Sequence, residues 1–191
     1  MSTVRDRPNR LFTGSDPAQA PNTSEYGSAN VEPGHTRRRA ELKVYQHERR
    51  LRTDGGLAVR DITDEVASAV SESGVRDGIA CVYSPHTTCC VRVNEFESGL
   101  LQDFTNLLRK LVPTEDYYAH DDWDRRTENI CPEDMDMGNG HSHCMAMLLG
   151  TAGESIPIRD GELQLGSWQR VLFLELDRER DRRWIVQVVG E

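Results

Sequence analysis

Four histidines, His86, His120, His141 and His143, fall where the chain bends or where a helix begins. Imidazole is the commonest protein ligand for zinc and titrates near neutrality. Glu95, Asp121 and Asp122 could add oxygen donors or orient a ring through its second nitrogen. The spacing matches neither HExxH nor a paired CxxC, so three alternatives stand: metal ligation, phosphate binding and structural hydrogen bonding. Cys144 follows His143 directly, but adjacent helical side chains point about 100° apart and cannot form a nucleophile–base pair. Cys144 therefore reads as a packed core thiol. In DRERDRR, Arg178, Arg180, Arg182 and Arg183 alternate with acids. That segment is either a charged hairpin turn or a source of two guanidinium groups for gripping a phosphate.

These residues need elements to hold them. NGHSHCMAMLLG, 139–150, reads as a helix with Asn139 as cap and Gly150 as stop. Its apolar residues Met145, Leu148 and Leu149 face a core, and His141 and His143 lie in the first turn. Residues 113–139 form a long polar segment with His120-Asp121-Asp122 at its centre. Tyr117, Tyr118 and Trp123 mark it as an ordered loop lining a site. LLQDFTNLLRKLV is the clearest amphipathic helix, closed by Pro113. A second helix starts with Thr63 as cap and ends at Gly74. Strands are expected around Leu42–His47, at 78–86 and 87–95, on both sides of the Asp160-Gly161 turn, at 167–177 and at the C-terminus. Leu42 and Val44 share one side of the first strand. This order predicts an α+β protein, not a doubly wound one.

The chain has 191 residues, a net charge of −9 and five cysteines. Residues 1–38 read as a disordered tail and 39–191 as one domain. The acidity argues against nucleic acid and anionic membranes as partners, and no apolar run approaches the ~18 residues of a membrane helix. An odd cysteine count with no CxxC and no signal peptide points to reduced thiols in the cytoplasm. Without GxGxxG or a P-loop, no nucleotide cofactor is expected.

HTTCCVRVNE (86–95), His120-Asp121, HSHCMAMLLG (141–150), DGELQLGSWQ (160–169) and the LELDRERDRR…VQVVGE ending resemble the YjbQ-like family, often labelled secondary thiamine-phosphate synthase. The resemblance spans residues 40–191. It implies a mixed, largely antiparallel sheet curved into a sandwich or half-barrel, two to three packed helices, and a homotrimer. The implied reaction joins a pyrimidine pyrophosphate to a thiazole phosphate and releases pyrophosphate. The family's recurrent polar positions fall on His86, Thr87, Thr88, Asn94, Glu95, His120, Asp121, His143, Trp168, Gln169, Arg180 and Arg182. In that reading His86, Glu95, His120, Asp121 and His143 are catalytic, while Arg180, Arg182, Thr87, Thr88, Trp168 and Gln169 hold a phosphorylated small molecule. His86, His120, His141 and His143 are the candidate ligands of a divalent metal, zinc or magnesium. Glu179 departs from the family, whose members usually carry proline there. The alternative is a non-catalytic metal- or ligand-binding homotrimer.

Overall fold

The computed structural model describes residues 41–130, 138–150 and 152–191. Eight strands run in the order β1 (Lys43–Arg52), β2 (Ala58–Asp61), β3 (Gly78–Tyr83), β4 (Cys89–Asn94), β5 (Gly153–Arg159), β6 (Glu162–Leu163), β7 (Arg170–Glu175) and β8 (Asp181–Gly190). Three helices interrupt them: α1 (Thr63–Ser73), α2 (Ser98–Leu111) and α3 (Gly140–Leu149). The strands form a five-stranded sheet, β1-β8-β3-β5-β6, and a three-stranded sheet, β2-β7-β4. Every described pairing is antiparallel. The curled sheets make a half-barrel of the α+β class.

Alternation along the strands explains the layers. Val171 and Phe173 of β7 and Val91 of β4 meet Ala80, Val82, Val186 and Val188 of the larger sheet in one core, and Val66, Ala69 and Val70 of α1 join it. Leu172 and Leu174 point the other way, with Cys90, onto Leu108 and Val112 at the end of α2 and Met145 of α3. β7 is thus buried on both faces, which accounts for its near-continuous apolar run. Each such side chain contributes about 1.5–3 kcal/mol by leaving water.

Several local expectations shift. Leu42 and Val44 are 68% and 66% exposed, while Tyr45, His47, Arg49 and Leu51 form the half-buried face of β1. Thr63 is the first residue of α1 rather than its cap; the Asp61 carboxylate accepts its N–H at 2.9 Å. Asp160 and Gly161, both at positive φ, make the β5–β6 hairpin turn. Cys89 is buried, whereas Cys144 is an exposed thiol and not a core residue. No described helix is long and apolar enough to cross a membrane.

Candidate functional site

The parity of β7 and β8 sets the foundation. Val171, Phe173 and Glu175 share one face of β7, and Arg182, Trp184, Val186 and Val188 share the inward face of β8. A carboxylate and a guanidinium therefore stand at core positions and must satisfy each other. Arg182 meets Glu175 side-on, Nε to Oε2 at 2.5 Å and Nη2 to Oε1 at 2.6 Å. Glu175, fully buried, also accepts from the Thr53 hydroxyl at 2.9 Å and the Asp177 N–H at 3.0 Å. Arg182 Nη2 donates to the Thr88 hydroxyl at 2.9 Å. Burial and this carboxylate push the neighbouring Cys89 thiol up, so it stays protonated.

Above that pair lies a cleft of about 880 Å³. Thr87 and Thr88 lead into β4, Asp177 and Arg180 come from the β7–β8 connection and Arg182 from β8, His143 and Asn139 from the start of α3, and Ala119–Asn129 form the opposite wall. The long polar segment is thus an ordered wall over its described residues; 131–137, with Cys131, lie outside them.

Asp121 ties wall to helix. It sits in a 3-10 turn, Ala119–Asp121, and accepts the N–H groups of Asn139 and Gly140 at 3.0 Å. The helix is capped by this distant carboxylate, not by the Asn139 side chain. Asn139 Nδ2 is thereby free to donate to Asp177 at 3.0 Å. Gly140 is required here because a Cβ would collide with the Tyr118 side chain. Asp121 also takes His120 Nδ1–H at 2.9 Å, which leaves Nε2 as the ring's acceptor. Burial pushes the Asp121 carboxyl up, but the hydrogen bonds from His120, Gly140 and Asn139 outweigh it and hold the group below its ordinary value.

The His120 and His143 rings lie 4.5 Å apart at 42°. Burial first, then the neighbouring His120, lower the pKa of His143, so its imidazole is neutral at neutral pH. Arg126 clamps the wall. Its Nε, Nη1 and Nη2 donate to the carbonyls of Glu128, His120 and Asn129, and its guanidinium stacks on Trp123 at 5.2 Å.

The chain brings together His120, Asp121, His143, Thr87, Thr88, Arg180 and Arg182. The other named residues lie elsewhere. His86 Nε2 accepts the Arg183 N–H at 3.1 Å and faces a separate cavity with Arg50 and Arg52. His141 packs on Tyr118 at 6.1 Å and lines another cavity. Glu95, Trp168 and Gln169 flank the opposite end of the β4–β7 pair, where Asn94 partners Arg170. A strand of this length separates its ends by roughly 17 Å. Trp168 is 75% exposed, and Gln169 Oε1 accepts the Gly166 N–H at 2.8 Å. Tetrahedral zinc takes three or four protein donors, yet among the described residues no three His, Cys, Asp or Glu side chains converge. The four-histidine metal centre is not assembled within one chain, and no chemistry is assigned to a metal.

Arg182 is matched by Glu175, and Arg180 Nε contacts Asp177 at 3.2 Å. Cleft cations that sequence reading missed are Arg125 and Arg126. Neither has a carboxylate partner among the described residues, and Arg125 donates only to the Tyr117 hydroxyl at 3.3 Å. Their position in WDRRTEN, within a segment already read as a wall, was the available signal. Glu179 is turned away onto Arg52 at 2.6 Å.

Fold and cleft together define an α+β half-barrel protein with a basic, histidine-bearing pocket at one end of its sheets. Residues 47–191 match the family model described as UPF0047 protein YjbQ-like, and the chain belongs to that family. A UPF0047 protein of Methanothermobacter thermautotrophicus is 37% identical over 150 residues, 78% of this chain and 95% of the relative. One from Archaeoglobus fulgidus is 40% identical over 139 residues, 73% of this chain and 97% of the relative. The crystal structure of a YbjQ-like protein of unknown function from Sulfolobus solfataricus matches with a TM-score of 0.69 at 30% identity, covering 79% of this chain and all 100% of that one.

Proposed function

We propose that the cleft binds a phosphorylated small molecule and that His120 acts on it as a general base through Nε2. The observation that carries this reading is that Arg125 and Arg126 line the cleft with no carboxylate partner among the described residues, in a chain whose net charge is −9. An anion entering there gains charge-assisted hydrogen bonds. Arg180 and the Thr87 hydroxyl complete the binding wall. Asp121 orients His120, and neutral His143 stands beside it to relay or receive a proton. The free thiols of Cys81, Cys89, Cys90 and Cys144 suit a reducing, cytoplasmic setting.

Inorganic pyrophosphate is the probe. Calorimetry at low ionic strength is expected to show binding that weakens with salt and weakens about tenfold or more in Arg125→Gln, since a hydrogen bond to a charged group contributes about 1.5–3 kcal/mol. Equal affinity in wild type and variant would remove the basis for this site. The particular reaction implied by the family resemblance is thiamine-phosphate synthesis. There the thiazole nitrogen attacks the pyrimidine methylene with its lone pair and pyrophosphate leaves, a step with no proton for His120 to take; its role as base belongs to attack by water, whose proton it accepts. Pyrophosphate release from the pyrimidine substrate, with and without the thiazole phosphate, separates transfer to the thiazole from hydrolysis by water.

A homotrimeric assembly, catalytic or only ligand-binding, is supported by apolar surface on α2 and α3: Leu107 is 52% exposed, Leu111 59%, Leu148 56% and Met147 84%. Light scattering is expected to return three chain masses; a monomer at micromolar concentration would count against assembly.

A further inference from the structure

A second cavity of about 600 Å³ lies on the other side of Asp177, which lines both spaces. Side chains two positions apart on a helix point roughly 200° apart, so the first turn of α3 sends His143 into the cleft and His141 into this second space. The β7–β8 connection does the same, with Arg180 on the cleft side and Arg178 on the other. Arg178 Nη1 lies 4.0 Å from Asp177 Oδ1, whereas Arg109, in the last turn of α2, adds a guanidinium with no carboxylate partner among the described residues. The cavity thus repeats part of the cleft's donor set, an imidazole with arginines.

Its floor differs. Leu57, Met145 and Leu176 line it, the last two 1% and 3% exposed. Among the described residues, the carboxylates around it are occupied or outward. Glu179 pairs with Arg52, Asp177 is held by Asn139 and Arg180, and Asp54 is exposed. The wall is fixed: Gly55, Gly56 and Leu57 all have positive φ, and a side chain at Gly55 would strike the Arg178–Glu179 backbone. Positive φ at leucine is strained and persists only where surrounding packing holds it. The volume falls within the usual range for small-ligand sites.

From this arrangement we infer that the cavity is a second anion subsite, taking a small phosphate monoester whose apolar arm rests on Leu57, Met145 and Leu176. Its phosphate meets Arg109, Arg178 and His141. Asp177 and the α3 turn separate it from the cleft, so two ligands sit side by side.

Phenyl phosphate and inorganic pyrophosphate test this on the full chain by calorimetry and ³¹P NMR. Wild type is expected to bind two phenyl phosphates per chain. Arg109→Gln and His141→Gln each weaken one of those sites about tenfold or more, and Arg109→Gln leaves pyrophosphate binding unchanged. Arg125→Gln does the reverse. A single phenyl phosphate site, abolished by Arg125→Gln and indifferent to Arg109→Gln, would overturn the second subsite and leave the cleft standing. Pyrophosphate binding insensitive to Arg125→Gln, beside a phenyl phosphate site lost in Arg109→Gln, would overturn the cleft reading instead.

Discussion

Arg182→Ala is expected to lower folding stability by about 3–5 kcal/mol, the usual cost of stripping one partner from a buried ion pair. Glu175 is completely buried and Arg182 is 7% exposed. Removing the guanidinium leaves the carboxylate with neutral donors only, from Thr53, Cys89 and the Asp177 backbone. The pair is therefore a constraint more than a gain. The double variant Arg182→Met, Glu175→Leu removes both charges from an otherwise apolar core. It should recover part of the loss and not all of it, because the Asp177 N–H and Thr53 hydroxyl then lose their acceptor. Urea denaturation of the two variants checks this. A loss below about 1 kcal/mol in Arg182→Ala would show that the pair is solvated and that its place beneath the cleft is incidental.

That pair also shows what a sequence can reveal. The alternation in RVLFLE and DRRWIVQVVG places β7 and β8 correctly. The same parity assigns Glu175 and Arg182 to inward positions, so a buried pair could have been read from it. Guanidinium chemistry weighed without its facing partner points instead to a phosphate ligand at Arg182. The α2 boundary followed from its apolar spacing, yet only Leu108 of that stripe is buried. Periodicity reports an apolar face, not what covers it. Pairing among distant segments was the least legible layer. Asp121 caps a helix that begins at Gly140, and no local spacing encodes that link. His86 and His143 share a residue type, but the β3–β4 turn and the α3 helix send them to different cavities. The wall arginines escape sequence reading because their value lies in having no carboxylate partner among the described residues, a property that only a folded chain defines.

The second large effect is expected in Asp121→Ala: a fall in hydrolytic turnover of about 10²–10⁴, the span of a general acid–base contribution, with pyrophosphate affinity nearly unchanged. The reason lies in one oxygen. In the native protein Asp121 Oδ1 accepts His120 Nδ1–H, the Asn139 N–H and the Gly140 N–H, and Oδ2 shares the last. An asparagine oxygen at that place would keep all three bonds, so only removal of the carboxylate frees the ring. The donor left beside Nδ1 is Arg126 Nη1, at 3.3 Å. The ring then accepts at Nδ1 and carries its proton on Nε2, where it can no longer take a proton from water or a substrate. Loss of the cap adds about 0.5–2 kcal/mol of destabilisation, too little to unfold an ordinary domain. Arg125 is untouched, so the anion still docks and the deficit appears in kcat. ¹⁵N NMR of His120 reads the tautomer directly: the Nδ1–H form in wild type and the Nε2–H form in the variant. If the tautomer switches and turnover persists, His120 is not the base; if it does not switch, Asp121 acts on α3 alone and the coupling between cap and ring is wrong.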